Sequence, residues 1–185
     1  MKKYLKKIAA VLCAAAVLSN IPAVPAEAAV TSAQAIAKPG ETETSTVGID
    51  VSKYQGAIDW ASVAAQGYTF AFIKLGSSKS GVDPYFVPNM AGASAVGMRT
   101  GAYVYSYATT VEGAVAEATL AVNALQNMPI SFPVVFDIED TVHKPLTPMQ
   151  QQEIVNAFCT VVENAGYYPM VYASKNWFLN RLGHT

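Results

Sequence analysis

Two acidic residues, Asp137 and Glu139, stand where the apolar segment 132–138 gives way to polar sequence. Side chains two residues apart on a strand point to the same face, roughly 6.6 Å apart along it. Two carboxylates so placed suit glycoside cleavage, because one protonates the leaving oxygen while the other supports the positive charge that develops on the sugar. Repulsion between like charges raises the pKa of one member of such a pair, and we expect Glu139 to hold that proton. Asp140 is expected to cap the following loop and face water.

Two further charged residues stand near strand ends. Asp50 lies alone in the segment VGIDVS (47–52), and its position fits equally well a functional acid or a carboxylate bonded to backbone amides. Lys74 is a lone charge at the end of the second apolar segment. It suits either a salt bridge to the acids or the steering of a substrate, and the sequence does not separate these roles.

Aromatic side chains accompany the acids. Tyr103, Tyr105 and Tyr107 share one face of the third apolar segment, where ring faces can stack on sugars. Tyr105 is predicted to contact substrate, and for Tyr103 core packing is an equal alternative. His143 follows the acids, and a lone histidine in a loop is more often solvated than catalytic.

The elements that must position these residues alternate along the chain. Strands are predicted at five apolar segments, and helices between them: 47–52, 69–75, 100–107, 132–138 and 168–173. Helix starts are indicated by Asp83-Pro84, by Thr109 with Glu112, and by Thr147-Pro148 with Gln150. The helix after Thr147 has one apolar and one polar face.

This alternation predicts an α/β fold, because strands joined through helices run parallel. A doubly wound sheet is the alternative, but the glycine-rich phosphate loop that commonly follows its first strand is missing. We therefore predict a TIM-like (β/α) barrel, whose active site lies at the carboxyl ends of its strands. About five of the eight strands are found in residues 47–185, so the chain is expected to stop before the barrel is complete.

The amino-terminal region predicts export. Residues 1–28 combine a basic start, a short apolar run and a small-residue cleavage site, which are typical of a signal peptide. Residues 29–46 are predicted to be a flexible linker, and 47–185 a partial barrel domain. Without the signal peptide, 8 basic residues face 12 acidic ones, so no nucleic-acid partner is expected. A secreted or cell-wall-associated protein without stable membrane insertion after signal cleavage is predicted.

Five motifs, in chain order, resemble those of the family 25 glycoside hydrolases, which are lysozymes. They are GIDVSKYQG with IDW (48–56 and 58–60), FAFIKLG (70–76), GAYVYS (101–106), FDIE (136–139) and PMVYAS (169–174). The resemblance covers the chain from residue 47 to its end. A single Asp-x-Glu motif would be weak support, whereas five motifs in family order are strong support.

This resemblance implies a muramidase that cleaves the β-1,4 bond between N-acetylmuramic acid and N-acetylglucosamine in bacterial peptidoglycan. It implies that Glu139 is the general acid, that Asp137 assists the reacting sugar, and that Asp50 is a site acid. No metal or cofactor is expected. Two alternatives stay open: a chitinase-type hydrolase, whose fourth strand also ends in Asp-x-Glu but usually after a longer acidic series, and a non-catalytic glycan-binding or relict barrel.

Overall fold

A computed structural model of the chain describes residues 46–182. The signal peptide predicted at 1–28, and all but the last residue of the linker predicted at 29–46, lie outside the described residues. The domain predicted at 47–185 is described as far as Leu182. None of the helices within 46–182 combines the length and the apolar composition that crossing a membrane requires.

Five parallel strands form one sheet in the order β1-β2-β4-β5-β6. Their bounds are β1 Val47–Val51, β2 Tyr68–Ser77, β4 Arg99–Tyr105, β5 Val134–Asp137 and β6 Pro169–Tyr172. A short strand, β3 Gly81–Val82, pairs antiparallel with the end of β2. The five predicted strands are therefore confirmed, each within two residues of its predicted bounds.

At least one helix separates each parallel strand from the next along the chain. The helices are α1 Trp60–Ala65, α2 Phe86–Ala95, α3 Val111–Leu125, α4 Pro148–Asn164 and α5 Lys175–Trp177. Short 3-10 turns occupy Lys53–Gln55 and Thr141–His143, and a π-helical turn occupies Phe178–Leu182. The α/β class with a parallel sheet, predicted from the alternation, is confirmed.

The predicted helix starts have mixed outcomes. Thr147 caps α4 as predicted, since its hydroxyl accepts from the Gln150 amide and the Gln150 side chain accepts from the Thr147 amide. The cap of α3 is Thr110 rather than Thr109, because the Thr110 hydroxyl accepts from the Gly113 amide. The start predicted at Asp83-Pro84 is wrong, because α2 begins at Phe86.

The sheet has one covered and one open face. Side chains that point toward the helices are almost fully buried, among them Ile73, Val104 and Phe136. Phe136 stacks on Phe158 of α4 with ring centroids 4.3 Å apart, and such burial of large side chains provides the main stabilisation of the fold. The alternate residues of the same strands point to the opposite face, which carries the acids.

The two edge strands of the sheet show whether the described strands close into the predicted barrel. β1 and β6 stand at the two ends of the strand order, so the described strands form an open sheet. Closure into a barrel stays a prediction. The parallel strands nevertheless all place their carboxyl ends at one edge of the sheet, where the active site was predicted from the sequence.

Candidate active site

The six residues predicted to be catalytic or substrate-binding line one cavity of about 560 Å³ on the open face of the sheet. They come from four neighbouring strands and the residues just after them: Asp50, Lys74, Tyr103, Tyr105, Asp137 and Glu139. The period-two alternation brings them together, because each lies on the same face of its strand. Charged and hydroxyl groups collect at the carboxyl ends of the strands.

Toward the amino ends of the strands, the lining is aromatic. Phe70 and Phe72 line the cavity, and Phe132 packs against both rings at centroid distances of 5.2 and 5.8 Å. Glycine is needed opposite these rings. A Cβ built on Gly48 would lie 2.1 Å from the Phe70 ring, and one on Gly101 would lie 2.5 Å from the Phe72 ring. This packing supports the strands that carry the acids.

Asp137 is the most buried acid of the cavity. It ends β5, is only 9% exposed, and its buried Oδ1 atom has no hydrogen-bond partner among the described residues. Burial raises the pKa of Asp137 to about 7, with a further contribution from the charge of Glu139, while Lys74 opposes the rise. Near neutral pH, a substantial fraction of this carboxyl therefore holds a proton.

Glu139 lies two residues beyond Asp137 and is less buried. Its Oε2 atom accepts a hydrogen bond of 2.9 Å from the Ser174 amide, which follows β6. The sequence led us to expect the proton of the pair on Glu139, whereas the raised pKa belongs to Asp137. The physical reason is the deeper burial of Asp137.

Asp50 belongs to the same charge network. Removal of water by the cavity walls raises its pKa, although the residue as a whole is exposed, while a hydrogen bond from the Tyr103 hydroxyl and the charge of Lys74 lower it. The pKa of Tyr103 is raised, first by burial and then by Asp50. Tyr103 therefore lies partly buried in the cavity and also interacts with an acid of the site.

Lys74 lies among the acids and the tyrosines. Its Nζ atom is 4.9 Å from the centroid of the Tyr105 ring and 6.0 Å from that of Tyr103. Its charge lowers the pKa of both Asp137 and Asp50. Of the two roles left open by the sequence, the geometry supports an electrostatic link to the acids.

Asp140 does more than cap a loop. As expected, its Oδ1 atom accepts from the Val142 amide at 3.0 Å, at the start of the Thr141–His143 turn. It is half-buried rather than fully solvated, and its Oδ2 atom accepts from the Tyr105 hydroxyl at 3.0 Å. These contacts, first of all the Val142 amide, lower the pKa of Asp140. Asp140 thus holds a ring that lines the cavity.

Some site residues were missed by the sequence reasoning. Met170 and Tyr172 of β6 line the cavity, and the Ser174 amide binds Glu139. The two side chains could have been found from the same alternation that identified the acids. A backbone amide leaves no signal in the sequence.

His143 corrects another expectation. It is fully buried rather than solvated, because Trp177 packs edge-on against its ring at a centroid distance of 6.4 Å. Burial lowers the pKa of His143. The Trp177 indole donates to Gln151, whose amide donates to the His143 carbonyl. This network supports the loop that carries Asp140, outside the cavity.

Within the described part of the chain, no group of three or more histidine, cysteine, aspartate or glutamate side chains is arranged to hold a metal ion. The chemistry that this cavity supports from its own residues is proton transfer by paired carboxyls beside aromatic surfaces.

Comparison with known proteins places these features in context. Residues 49–185 match the model of a family described as glycosyl hydrolases family 25. The uncharacterised protein YegX of Escherichia coli (strain K12) is 31% identical over 141 residues, which cover 73% of this chain and 50% of YegX. Lysozyme M1 of Streptomyces globisporus is 41% identical over 68 residues, covering 36% of this chain and 23% of that lysozyme.

Solved structures give the same picture. A family 25 glycosyl hydrolase from Bacillus anthracis has a TM-score of 0.62 and 28% identity, over 71% of this chain and 62% of that one. The modular autolysin LytC from Streptococcus pneumoniae, solved with a synthetic peptidoglycan ligand, has a TM-score of 0.67 and 26% identity, over 74% and 34%. The chain spans about half the length of the curated relative YegX.

Proposed function

The chain belongs to glycosyl hydrolases family 25, and on that premise we propose that it is a muramidase. Its substrate would be the β-1,4 bond between N-acetylmuramic acid and N-acetylglucosamine in bacterial peptidoglycan. Peptidoglycan lies outside the cell membrane, so the proposal includes secretion or association with the cell wall. The observation that carries it is the cavity in which buried Asp137, with an unpartnered oxygen and a raised pKa, lies beside Glu139.

The two carboxyls act as a unit in this proposal. Their charges interact, so the proton held near neutral pH belongs to the pair rather than to one residue. In this proposal, Glu139 delivers the shared proton to the substrate.

Glu139 is the proposed general acid because it is the more accessible carboxyl of the pair. It protonates the glycosidic oxygen as the bond from that oxygen to the muramyl carbon breaks. Asp137, now ionised, assists the positive charge on the sugar. Water supplies the hydroxyl group that completes the product, and the proton it releases returns to the pair.

The remaining cavity residues support this reaction. Asp50 and Lys74 set the charge around Asp137 with opposite signs, since Asp50 raises its pKa and Lys74 lowers it. Tyr103 and Tyr105 offer ring surfaces to the sugars beside the acids. No metal or cofactor enters any of these steps.

The test measures release of reducing sugar from purified peptidoglycan. The unmodified chain should release it, and Glu139→Gln should lower the rate by about 10²- to 10⁴-fold while cell-wall binding in a pull-down persists. Glu153→Gln, the same change at an exposed position of α4, is the control and should leave the rate unchanged. Binding without product would instead select a non-catalytic glycan-binding protein. Release from chitin but not from peptidoglycan would select a chitinase-type hydrolase.

A further inference from the structure

A row of alternating cationic and aromatic side chains leads out of the cavity. Lys74 lies over the ring of Tyr105, and the Tyr105 and Tyr107 rings meet edge to face with centroids 5.3 Å apart. Beyond them, the Lys79 Nζ atom is 3.5 Å from the centroid of Tyr107. Tyr105 lines the cavity, so the row extends its surface from the acids to the turn between β2 and β3.

One buried carboxylate holds the outer end of this row. Glu117 of α3 is 1% exposed, and its Oε1 atom accepts from the Ser78 hydroxyl at 2.5 Å and from the Tyr107 amide at 2.9 Å. A single oxygen therefore ties the turn that carries Lys79 to the segment that carries Tyr107. The Ser77 and Ser80 hydroxyls, 2.8 Å apart, close the same turn.

This arrangement is costly for stability alone. A buried carboxylate needs several hydrogen bonds to offset its lost hydration, yet the Oε2 atom of Glu117 has no partner among the described residues. What the two bonds of Oε1 achieve is a defined position of Lys79 over Tyr107.

The ammonium group of Lys79 is available to bind a ligand. It is exposed, so the ammonium hydrogens that do not face the Tyr107 ring are open to a ligand. Its charge helps to lower the pKa of Asp140. Both oxygens of Asp140 already accept hydrogen bonds, one from Val142 and one from Tyr105. An aromatic ring beside an available cation suits a sugar that carries a carboxylate.

We propose that Lys79 and Tyr107, positioned by Glu117, form a subsite that recognises a carboxylate on the muramyl unit of the glycan. The inference rests on the proposed function and adds a basis for preferring peptidoglycan to chitin. Muramyl units differ from those of chitin by a lactyl group, which carries a carboxylate itself or is linked to a peptide that carries carboxylates. Glu117 is a positioning residue here, because it acts through Lys79 and Tyr107.

The experiment measures Kd by calorimetry in the Glu139→Gln background, so that the ligands are not consumed. The probes are a peptide-bearing muramyl tetrasaccharide, the peptide-free tetrasaccharide with free lactyl carboxylates, and the neutral chitin tetrasaccharide. Lys79→Gln should weaken binding of a carboxylate-bearing probe about threefold and leave chitin binding unchanged, whereas Lys79→Arg should retain both affinities. Loss only with the peptide-bearing probe assigns the carboxylate to the peptide, and loss only with the peptide-free probe assigns it to the lactyl group.

A second pair of variants tests Glu117. Glu117→Ala should lose the preference for carboxylate-bearing probes, as Lys79→Gln does. Glu117→Gln keeps an acceptor oxygen and should therefore keep that preference. If Glu117 had a purely structural role, Glu117→Ala would lower the melting temperature without changing the ratio of the Kd for chitin to the Kd for a carboxylate-bearing probe. If Glu117→Ala does not fold, the Lys79 variants still decide the question.

The inference would be overturned if Lys79→Gln weakened the binding of all three probes equally or weakened the binding of none. It would also be overturned if no probe bound at all. Failure of the proposed function has a different signature: the unmodified chain would release no reducing sugar from peptidoglycan, whatever the Kd values of the variants.

Discussion

Asp137→Asn is predicted to stabilise the protein at alkaline pH while impairing the site. The pKa of Asp137 rises from an ordinary 3.8 to about 7, which corresponds to roughly 4 kcal/mol against the ionised carboxyl in the folded state. Asparagine removes this charge at nearly the same volume. Its amide group still leaves a buried polar atom unpaired, at a cost of about 1–3 kcal/mol. The net expectation is a gain of about 2 kcal/mol in the free energy of unfolding at pH 8.

The sign of the pH dependence follows from linkage. A folded-state pKa above the unfolded one means that the native state binds more protons between pH 3.8 and about 7. The contribution of Asp137 to stability is therefore fully present below pH 3.8 and is lost as the pH rises through 7. Below pH 4, the ionisation of Asp137 should therefore contribute little to the difference in the free energy of unfolding between Asp137→Asn and the parent.

Urea unfolding at pH 4 and pH 8 measures this difference directly. Asp140→Asn is the matched control with the opposite sign, because hydrogen bonds lower the pKa of Asp140. It should destabilise the protein at both pH 8 and pH 4, because pH 4 still lies above the lowered pKa of Asp140. The reasoning is refuted if Asp137→Asn is no more stable than the parent at pH 8, or if its effect is the same at both pH values.

Three further predictions concern packing and capping, each measured by urea unfolding. Gly101→Ala should cost about 1–3 kcal/mol, because its Cβ would lie 2.5 Å from the Phe72 ring; an unchanged midpoint would contradict this packing. Thr147→Ala should cost about 1 kcal/mol through loss of the α4 cap, and Thr147→Ser should retain most of it. Trp177→Phe should cost about 1–3 kcal/mol, because it leaves the fully buried Gln151 oxygen unpaired; a smaller loss than that of Thr147→Ala would argue against the buried bond.

The strands and the side chains on their open face could be predicted because both depend on local pattern. Period-two alternation placed Asp137 and Glu139 on one face, and the parallel arrangement brought Asp50 and Lys74 to the same edge of the sheet. The cap at Thr147 was likewise readable, since its partner Gln150 is three residues away.

What could not be predicted depends on partners distant in sequence. The raised pKa of Asp137 depends on its burial in the assembled sheet, and the hydrogen bond to Glu139 comes from the Ser174 amide, 35 residues further along the chain. The start of α2 shifts because Asp83 accepts hydrogen bonds from the Tyr85 amide and from the Lys53 amide, 30 residues away.

Two buried polar residues show the same limit. His143 is buried because Trp177 covers it, although a loop histidine is usually solvated. Glu117 lies at helical spacing from the buried residues Ala114 and Ala121, but the partners of its carboxylate come from a turn and from the end of a strand. Local sequence patterns contain no information about such contacts.

The identity of the new reducing end tests the proposed muramidase activity most directly. Peptidoglycan digested with the unmodified chain would be reduced with borohydride, and the reduced sugar would be identified by mass spectrometry. Cleavage at the muramyl bond should give reduced N-acetylmuramic acid, formed by the unmodified chain and absent with Glu139→Gln. Reduced N-acetylglucosamine as the new end, or equal product from Glu139→Gln, would contradict cleavage by the Asp137–Glu139 pair at the muramyl bond.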